Sequence, residues 1–88
     1  MAEQARSIHI SSAVVSVLPQ RCDELARGLS TLPGVEVHHR SDSKIVIVLE
    51  GADGGAIGSR LAEIATFEGV LSATMVFEQI ASLAELGE

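Results

Sequence analysis

The sequence predicts an α+β domain in the order strand, helix, strand, strand, helix, strand, with a four-stranded antiparallel sheet and both helices on one face. Three observations predict this architecture. Segments rich in β-branched residues alternate with two segments in which apolar residues recur every three or four positions. A glycine follows each helical segment and directly precedes a strand, at Gly34 and Gly69. A length of 88 residues suits one domain with one small core.

The first strand is predicted over residues 7–18, SIHISSAVVSVL. Pro19 suits the first turn of a helix, because its missing N–H would be unpaired there in any case. The first helix then carries one apolar stripe, formed by Cys22, Leu25, Leu29 and Leu32. Pro33 and Gly34 end this helix.

A hairpin is predicted in the middle of the chain. Residues 35–40 (VEVHHR) alternate as a strand, residues 41–43 (SDS) suit a turn, and residues 44–50 (KIVIVLE) form the next strand. This third strand is apolar on both sides, with Ile45, Ile47 and Leu49 on one and Val46 and Val48 on the other.

The second half of the chain supplies a helix and a strand. Asp53 is a good N-cap for a helix whose apolar residues are Ile57, Leu61 and Ile64. The last strand is predicted over residues 70–79, VLSATMVFEQ.

This order of elements is that of the ferredoxin-like split β-α-β arrangement, in which right-handed crossovers place both helices against the same face of the sheet. We expect one domain over residues 1–88, with a core from about residue 8 to residue 79, a flexible segment at 1–6 and a tail at 80–88. The face toward the helices is predicted to comprise Ala13, Val15, Val17, Val35, Val37, Ile45, Ile47, Leu49, Leu71, Ala73, Met75 and Phe77.

The opposite face, here called the open face, has no helix to cover it. Alternation predicts that it carries Ser12, Val14, Ser16, Val46, Val48, Ser72, Thr74, Val76 and Glu78, with Glu36, His38 and Arg40 at one edge. An exposed apolar patch surrounded by polar groups often marks an interaction site. The sequence leaves open whether the patch binds a partner, or is covered by dimerisation or by the C-terminal tail.

Composition narrows the class of partner. The formal net charge is −6 and the basic residues do not cluster, which disfavours nucleic acid and favours a basic partner. No segment approaches the roughly 20 apolar residues that span a membrane, and the N-terminus lacks an apolar run typical of a secretory signal. A single cysteine, Cys22, excludes an intramolecular disulfide. We therefore expect a cytoplasmic protein without membrane insertion.

The residues make no positive case for catalysis, a metal or a cofactor. The GADGGAIG segment fits neither phosphate-binding glycine fingerprint, so we interpret it as a turn and a helix cap. Cys22 shares the apolar stripe of the first helix, which favours core packing over redox chemistry. His38 and His39 are adjacent on a strand and point to opposite faces, so they are poorly placed to chelate one metal. An acylphosphatase-like activity would use Arg21, but the glycine-rich loop that it needs is missing.

Three stretches together resemble the NapD family: SSAVVSVLPQRCDELARGLSTLPGVEVH, KIVIVLEG and FEGVLSATMVFEQ. The resemblance covers the chain from about Ile8 to Gln79 and depends on the order and spacing of these stretches. It implies a ferredoxin-like fold and a cytoplasmic chaperone that binds the twin-arginine signal peptide of the periplasmic nitrate reductase catalytic subunit. It also implies that binding delays export until the molybdenum cofactor is loaded, and that the chaperone itself holds no cofactor.

The resemblance implies that the peptide binds on the sheet. The candidate contact residues are therefore Ser12, Val14, Ser16, Val46, Val48, Glu50, Ser72, Thr74, Val76 and Glu78. Family members often have Tyr-His where this chain has Phe77-Glu78, so contacts at that rim are expected to differ. The alternative hypothesis is a regulatory or dimerisation module that binds a small ligand, or a second copy of itself, through the same face.

Overall fold

The computed structural model describes the backbone of residues 7–82 and the side chains of residues 8–77. The predicted order of elements is confirmed, with a short 3₁₀ turn before the first helix. The elements are β1 (Ser7–Val17), the 3₁₀ turn (Pro19–Arg21), α1 (Cys22–Ser30), β2 (Val35–Arg40), β3 (Lys44–Gly51), α2 (Gly54–Ala65) and β4 (Val70–Ser82).

The four strands form one antiparallel sheet in the order β2-β3-β1-β4, so the predicted ferredoxin-like α+β fold is confirmed. β1 and β3 lie in the centre, and β2 and β4 form the edges. β4 continues to Ser82, beyond the predicted end at Gln79. Two predicted segments lie outside the described residues: the flexible segment at 1–6, and residues 83–88 of the tail.

The core lies between the helices and the central strands. The helices contribute Cys22, Leu25, Ala26 and Leu29 from α1 and Ile57 and Ile64 from α2. The sheet contributes Ala13, Val15, Val17, Val35, Ile45, Ile47 and Leu49, all of them predicted to face the helices. Because the core is aliphatic and one layer deep, its stability comes mainly from removing this apolar surface from water.

Local chemistry fixes where each helix begins or ends. The Asp53 carboxylate accepts a hydrogen bond from the Ala56 N–H at 2.8 Å, so Asp53 is the N-cap that the sequence predicted for α2. After α1, Gly34 has a φ of +75°, and a Cβ there would lie 2.7 Å from the Glu50 carbonyl oxygen. Only glycine meets both demands without strain, and this turn sets the start of β2 beside the end of β3.

β4 contains two bulges, which change the face on which some of its side chains lie. Ser16 pairs with Ser72 and Val17 with Val70, so Leu71 is an extra residue. Ser12 pairs with Phe77 and Ala13 with Met75, so Val76 is a second extra residue.

An extra residue reverses the alternation that follows it. The prediction that Leu71 and Phe77 face the helices is therefore wrong, and the two side chains are 65% and 57% exposed. Met75 and Ala73 remain on the helix side, opposite Ala13 and Val15, although Met75 is only partly covered.

A third irregularity lies in β2. Val37 pairs with Ile47 and His39 with Val46, which leaves His38 as the extra residue. Arg40 then pairs with Ile45 on the helix side. The prediction that Arg40 lies at the edge of the open face is wrong for this reason, and its guanidinium lies 3.1 Å from the Asp23 carboxylate on α1 instead.

Candidate functional site

The open face is a lattice of side chains set by the strand register, because residues paired across a ladder share a face. Each row crosses the strands from the β2 side to the β4 side, and the rows follow one another from the end of β3 to its start. They are Glu50 and Ile10; then Glu36, Val48, Ser12 and Phe77; then His39, Val46, Val14 and Thr74; and finally Lys44, Ser16 and Ser72.

The centre of this lattice is apolar. Val14, Val46 and Val48 are half-buried although no helix of the described chain lies over them, because neighbouring side chains on β1 and β3 shield one another. β-Branched residues pack well on a pleated surface, which explains why the middle strands can be apolar on both faces. The result is a shallow aliphatic floor with one surface still open to water.

The structure brings together most of the predicted site residues. The strand register places eight of the ten on the open face: Ser12, Val14, Ser16, Val46, Val48, Glu50, Ser72 and Thr74. Val76 is a bulge residue, and Phe77 takes the position opposite Ser12. The backbone of Glu78 pairs with Ser11, and its side chain lies outside the described residues. That these residues contact a peptide stays a prediction.

Three apolar residues of this face were missing from the predicted site. Ile8 and Ile10 alternate with Ser12 along β1 and are half-buried, so extending the same period toward the N-terminus would have found them. Phe77 is different, because its position depends on the bulge at Val76. Alternation along β4 alone gives no signal for that bulge.

Charge on the open face is uneven. Glu36 and Glu50 lie at the end where β2 begins and β3 ends, whereas Lys44 lies at the other end of β3. Glu36 is 3.5 Å from His38 Nε2, and among the described residues Glu50 forms no ion pair. The described arginines that form ion pairs do so with acids of the helices and connecting loops: Arg21 with Glu24 and Glu68, Arg40 with Asp23, and Arg60 with Glu63.

The edge strand β4 carries most of the remaining exposed apolar surface. Its exposed large side chains are Leu71, Met75, Val76 and Phe77. Edge strands with free backbone groups invite pairing with another strand, and bulges counter this by twisting the edge. The two bulges of β4 therefore favour contacts made by side chains on the face over addition of a further strand.

The groups considered for chemistry have structural roles in the described part of the chain. The Cys22 thiol is buried and donates to the Ser41 carbonyl oxygen at 3.2 Å. In the GADGGAIG segment, Asp53 caps α2. Within residues 8–77, no group of three or more His, Cys, Asp and Glu side chains is arranged to hold a metal ion.

A cavity of about 530 Å³ lies away from the open face, beside Pro19, Cys22 and the β2–β3 turn. Its charged wall residues include Asp23 and Arg40, which neutralise each other as an ion pair. No helix of the described chain is long and apolar enough to cross a membrane.

Two sequence comparisons with known proteins point to the same family. Residues 8–82 match the family model of the NapD protein. Chaperone NapD of Paracoccus pantotrophus is 52% identical over 77 residues, which cover 88% of this chain and 69% of that protein.

Two solved structures share the fold. The solution structure of the E. coli Tat proofreading chaperone protein NapD matches with a TM-score of 0.76 at 24% identity, covering 82% of this chain and 78% of that one. A transcriptional regulatory protein of the AsnC family from Pyrococcus furiosus matches with a TM-score of 0.63 at 22% identity, covering 93% of this chain and 54% of that protein. At these identities the two structures show the fold alone.

Proposed function

The chain belongs to the NapD family, and from that premise we propose that it is a chaperone for the twin-arginine signal peptide of the periplasmic nitrate reductase catalytic subunit. Bound to the chaperone, the peptide is withheld from the export machinery until the enzyme is folded and loaded with its cofactor. Such a protein acts in the cytoplasm, needs no catalytic residue and holds no cofactor of its own.

The observation that carries this proposal is the uncovered aliphatic floor of the open face. Val14, Val46 and Val48 present apolar surface that the described part of the chain leaves accessible to water. A signal peptide contains an apolar segment that gains free energy when it leaves water. The floor is therefore suited to supply much of the affinity.

The charges of the protein suit the other part of such a peptide. A twin-arginine peptide is basic, and the chain has a formal net charge of −6. Opposite charge speeds encounter and orients the partner, while charged groups at a rim add little affinity by themselves. We therefore propose that Glu50 and its neighbours guide the peptide onto the valines.

Calorimetric titration tests the proposal. The native nitrate reductase signal peptide is added to the protein beside two controls, a twin-lysine version and a scrambled peptide of equal composition. We expect saturable binding of the native peptide, weaker binding of the twin-lysine version and none of the scrambled one. Lysine is expected to be weaker because it lacks the planar fork that pairs with a carboxylate. Failure of the native peptide to bind would exclude this function.

The same uncovered face also fits a second copy of the chain, as in a dimerisation module. Sedimentation with and without peptide separates the two functions. The chaperone function predicts that the peptide occupies the face and that any dimer dissociates when peptide is added. A dimer that persists with saturating peptide would favour the dimerisation module.

A further inference from the structure

We propose that the open face binds its peptide in one direction, with the arginine-bearing end over Glu36 and Glu50 and the apolar segment running from there across β3 and β1 toward Phe77. This inference rests on the proposed function and adds the orientation of the bound peptide. Four features of the face support it: a pair of acids, the absence of a strong partner for them among the described residues, a lysine at the far end and the course of the apolar floor.

The two acids are neighbours on the lattice. Glu36 pairs with Val48, and Glu50 lies two residues further along β3 on the same face. Diagonal neighbours of this kind are about 7–8 Å apart. The Glu50 N–H donates to the Gly34 carbonyl oxygen at 2.8 Å, which fixes the end of β3 against the start of β2. Two carboxylates at this spacing can each receive one of two nearby guanidinium groups.

Neither acid has a strong partner among the described residues. Glu50 forms no ion pair there, and the single ion pair of Glu36 is the 3.5 Å approach of His38. Arg40 does not compete for these acids, because the bulge at His38 places it opposite Ile45 on the helix side, beside Asp23 of α1. Among the described residues, the acidic corner therefore lacks an arginine or lysine partner.

The far end of the face has the opposite charge. Lys44 pairs with Ser16, and it is six residues from Glu50 along β3. At about 3.3 Å per residue, the two side chains stand about 20 Å apart. A peptide bound with its arginines at this end would place them beside Lys44, where like charges repel. The same end has a polar floor of Ser16 and Ser72, which gives an apolar segment little to pack against.

The apolar floor leads from the acidic corner toward β4. Val48 is next to Glu36, and the row continues through Ser12 to Phe77. Strands are about 4.8 Å apart, so β3 and β4 lie about 10 Å apart, which is the width of one helix or two extended segments. One peptide segment that leaves the acidic corner can therefore cover the valines and reach the Phe77 ring.

Paramagnetic relaxation tests the direction. A nitroxide is attached to the native peptide either just before the arginines or at the far end of the apolar segment, and amide signals of the isotope-labelled protein are recorded. With the first label we expect broadening at Glu36 and Glu50 and sharp signals at Lys44 and Ser16. The second label is expected to broaden β4 near Phe77 more strongly than Glu36, which lies three strand spacings away in the same row. Broadening at Lys44 by the first label, or equal broadening at both ends, would overturn the proposal.

A charge exchange tests the same assignment independently. The double variant Glu36→Lys with Glu50→Lys is compared with Asp42→Lys with Glu68→Lys, which changes the net charge equally but away from the acidic corner. We expect the first variant to lose at least tenfold in affinity for the native peptide and to regain affinity for a peptide in which both arginines are glutamate. Equal losses in both variants, or no regain, would show that only overall charge matters and would refute the direction.

These experiments separate two kinds of failure. If the native peptide causes no shift of any amide signal, the proposed function itself fails. If the peptide binds and shifts signals on the open face but the labels show the reverse order, only the direction fails.

Discussion

Phe77 lies opposite Ser12 in the ladder between β1 and β4, whereas Met75 lies opposite Ala13. The extra residue between them, Val76, turns the aromatic ring from the helix side of the sheet to the open face. Phe77 is 57% exposed as a result, and it extends the aliphatic floor to the edge of the sheet. A backbone irregularity thus places an exposed aromatic ring beside the aliphatic floor, and aromatic residues often dominate the binding energy of an interface.

Replacing Phe77 by alanine is therefore expected to weaken peptide binding about tenfold, which corresponds to about 1.4 kcal/mol. The free energy of unfolding should change little, because most of the ring is already in water. Leu71→Ala is the matched control, since Leu71 is an exposed apolar residue at the other bulge of β4, 65% exposed against 57% for Phe77. Calorimetric titration of the two variants measures the difference. Equal affinities for both would show that Phe77 is not part of the binding face.

A charge placed at the centre of the floor is expected to block binding. Val48→Glu puts a carboxylate where the apolar segment of the peptide would bury it without a partner, which should lower the affinity by tenfold or more. Ala62→Glu adds the same charge on an exposed position of α2 and should leave the affinity unchanged. Thermal unfolding checks that both variants remain folded. Native affinity in a folded Val48→Glu protein would contradict the site.

Adjacent residues of β3 are expected to differ in their effect on stability. Ile47 is fully buried beneath the helices, so Ile47→Ala should lower the free energy of unfolding by about 2–5 kcal/mol. Val48→Ala removes a half-buried side chain from the open face and should cost on the order of 1 kcal/mol. Urea denaturation measures both values. A larger loss at Val48 than at Ile47 would mean that the two faces of the sheet are assigned the wrong way round.

Gly34 and Gly28 should respond to replacement by alanine in opposite directions. Gly34→Ala meets a φ of +75° and a contact of 2.7 Å with the Glu50 carbonyl oxygen, so we expect a loss of more than about 1 kcal/mol. Gly28 lies inside α1 with no atom within 4 Å of an added Cβ, so Gly28→Ala should stabilise the protein by about 0.5–1 kcal/mol. Urea denaturation compares them, and a stabilising Gly34→Ala would contradict the turn geometry.

The fold could be predicted because its central strands are constrained on the core side. Burial of residues such as Val15 and Ile47 requires strict alternation. Both helices could be predicted from the spacing of their apolar residues, and the start of α2 from its N-cap, Asp53. The edge strands are less constrained. Where a bulge inserts a residue, the pattern along one strand no longer tells which face follows, because the insertion is decided by hydrogen bonding to the neighbouring strand. Leu71, Phe77 and Arg40 were assigned to the wrong face for this one reason.

The residues of the candidate site also fall into those that alternation could place and those that it could not. The valines of β1 and β3 could be placed on one face from alternation, and Ile10 follows from the same rule carried further. Phe77 could not be placed, since its position depends on the bulge at Val76. The geometry of the open face does not by itself identify the partner. An exposed apolar face favours binding of a partner. The proposal that this partner is a signal peptide comes from the family to which the chain belongs.

The central claim is that the open face, and not the helices, receives the signal peptide. Chemical-shift mapping tests it most directly, with unlabelled native peptide added to isotope-labelled protein. We expect the largest shifts at Val14, Val46 and Val48 and small shifts along the exposed side of α1 and α2. Saturable binding with the largest shifts on the helices, and none at the three valines, would contradict the claim.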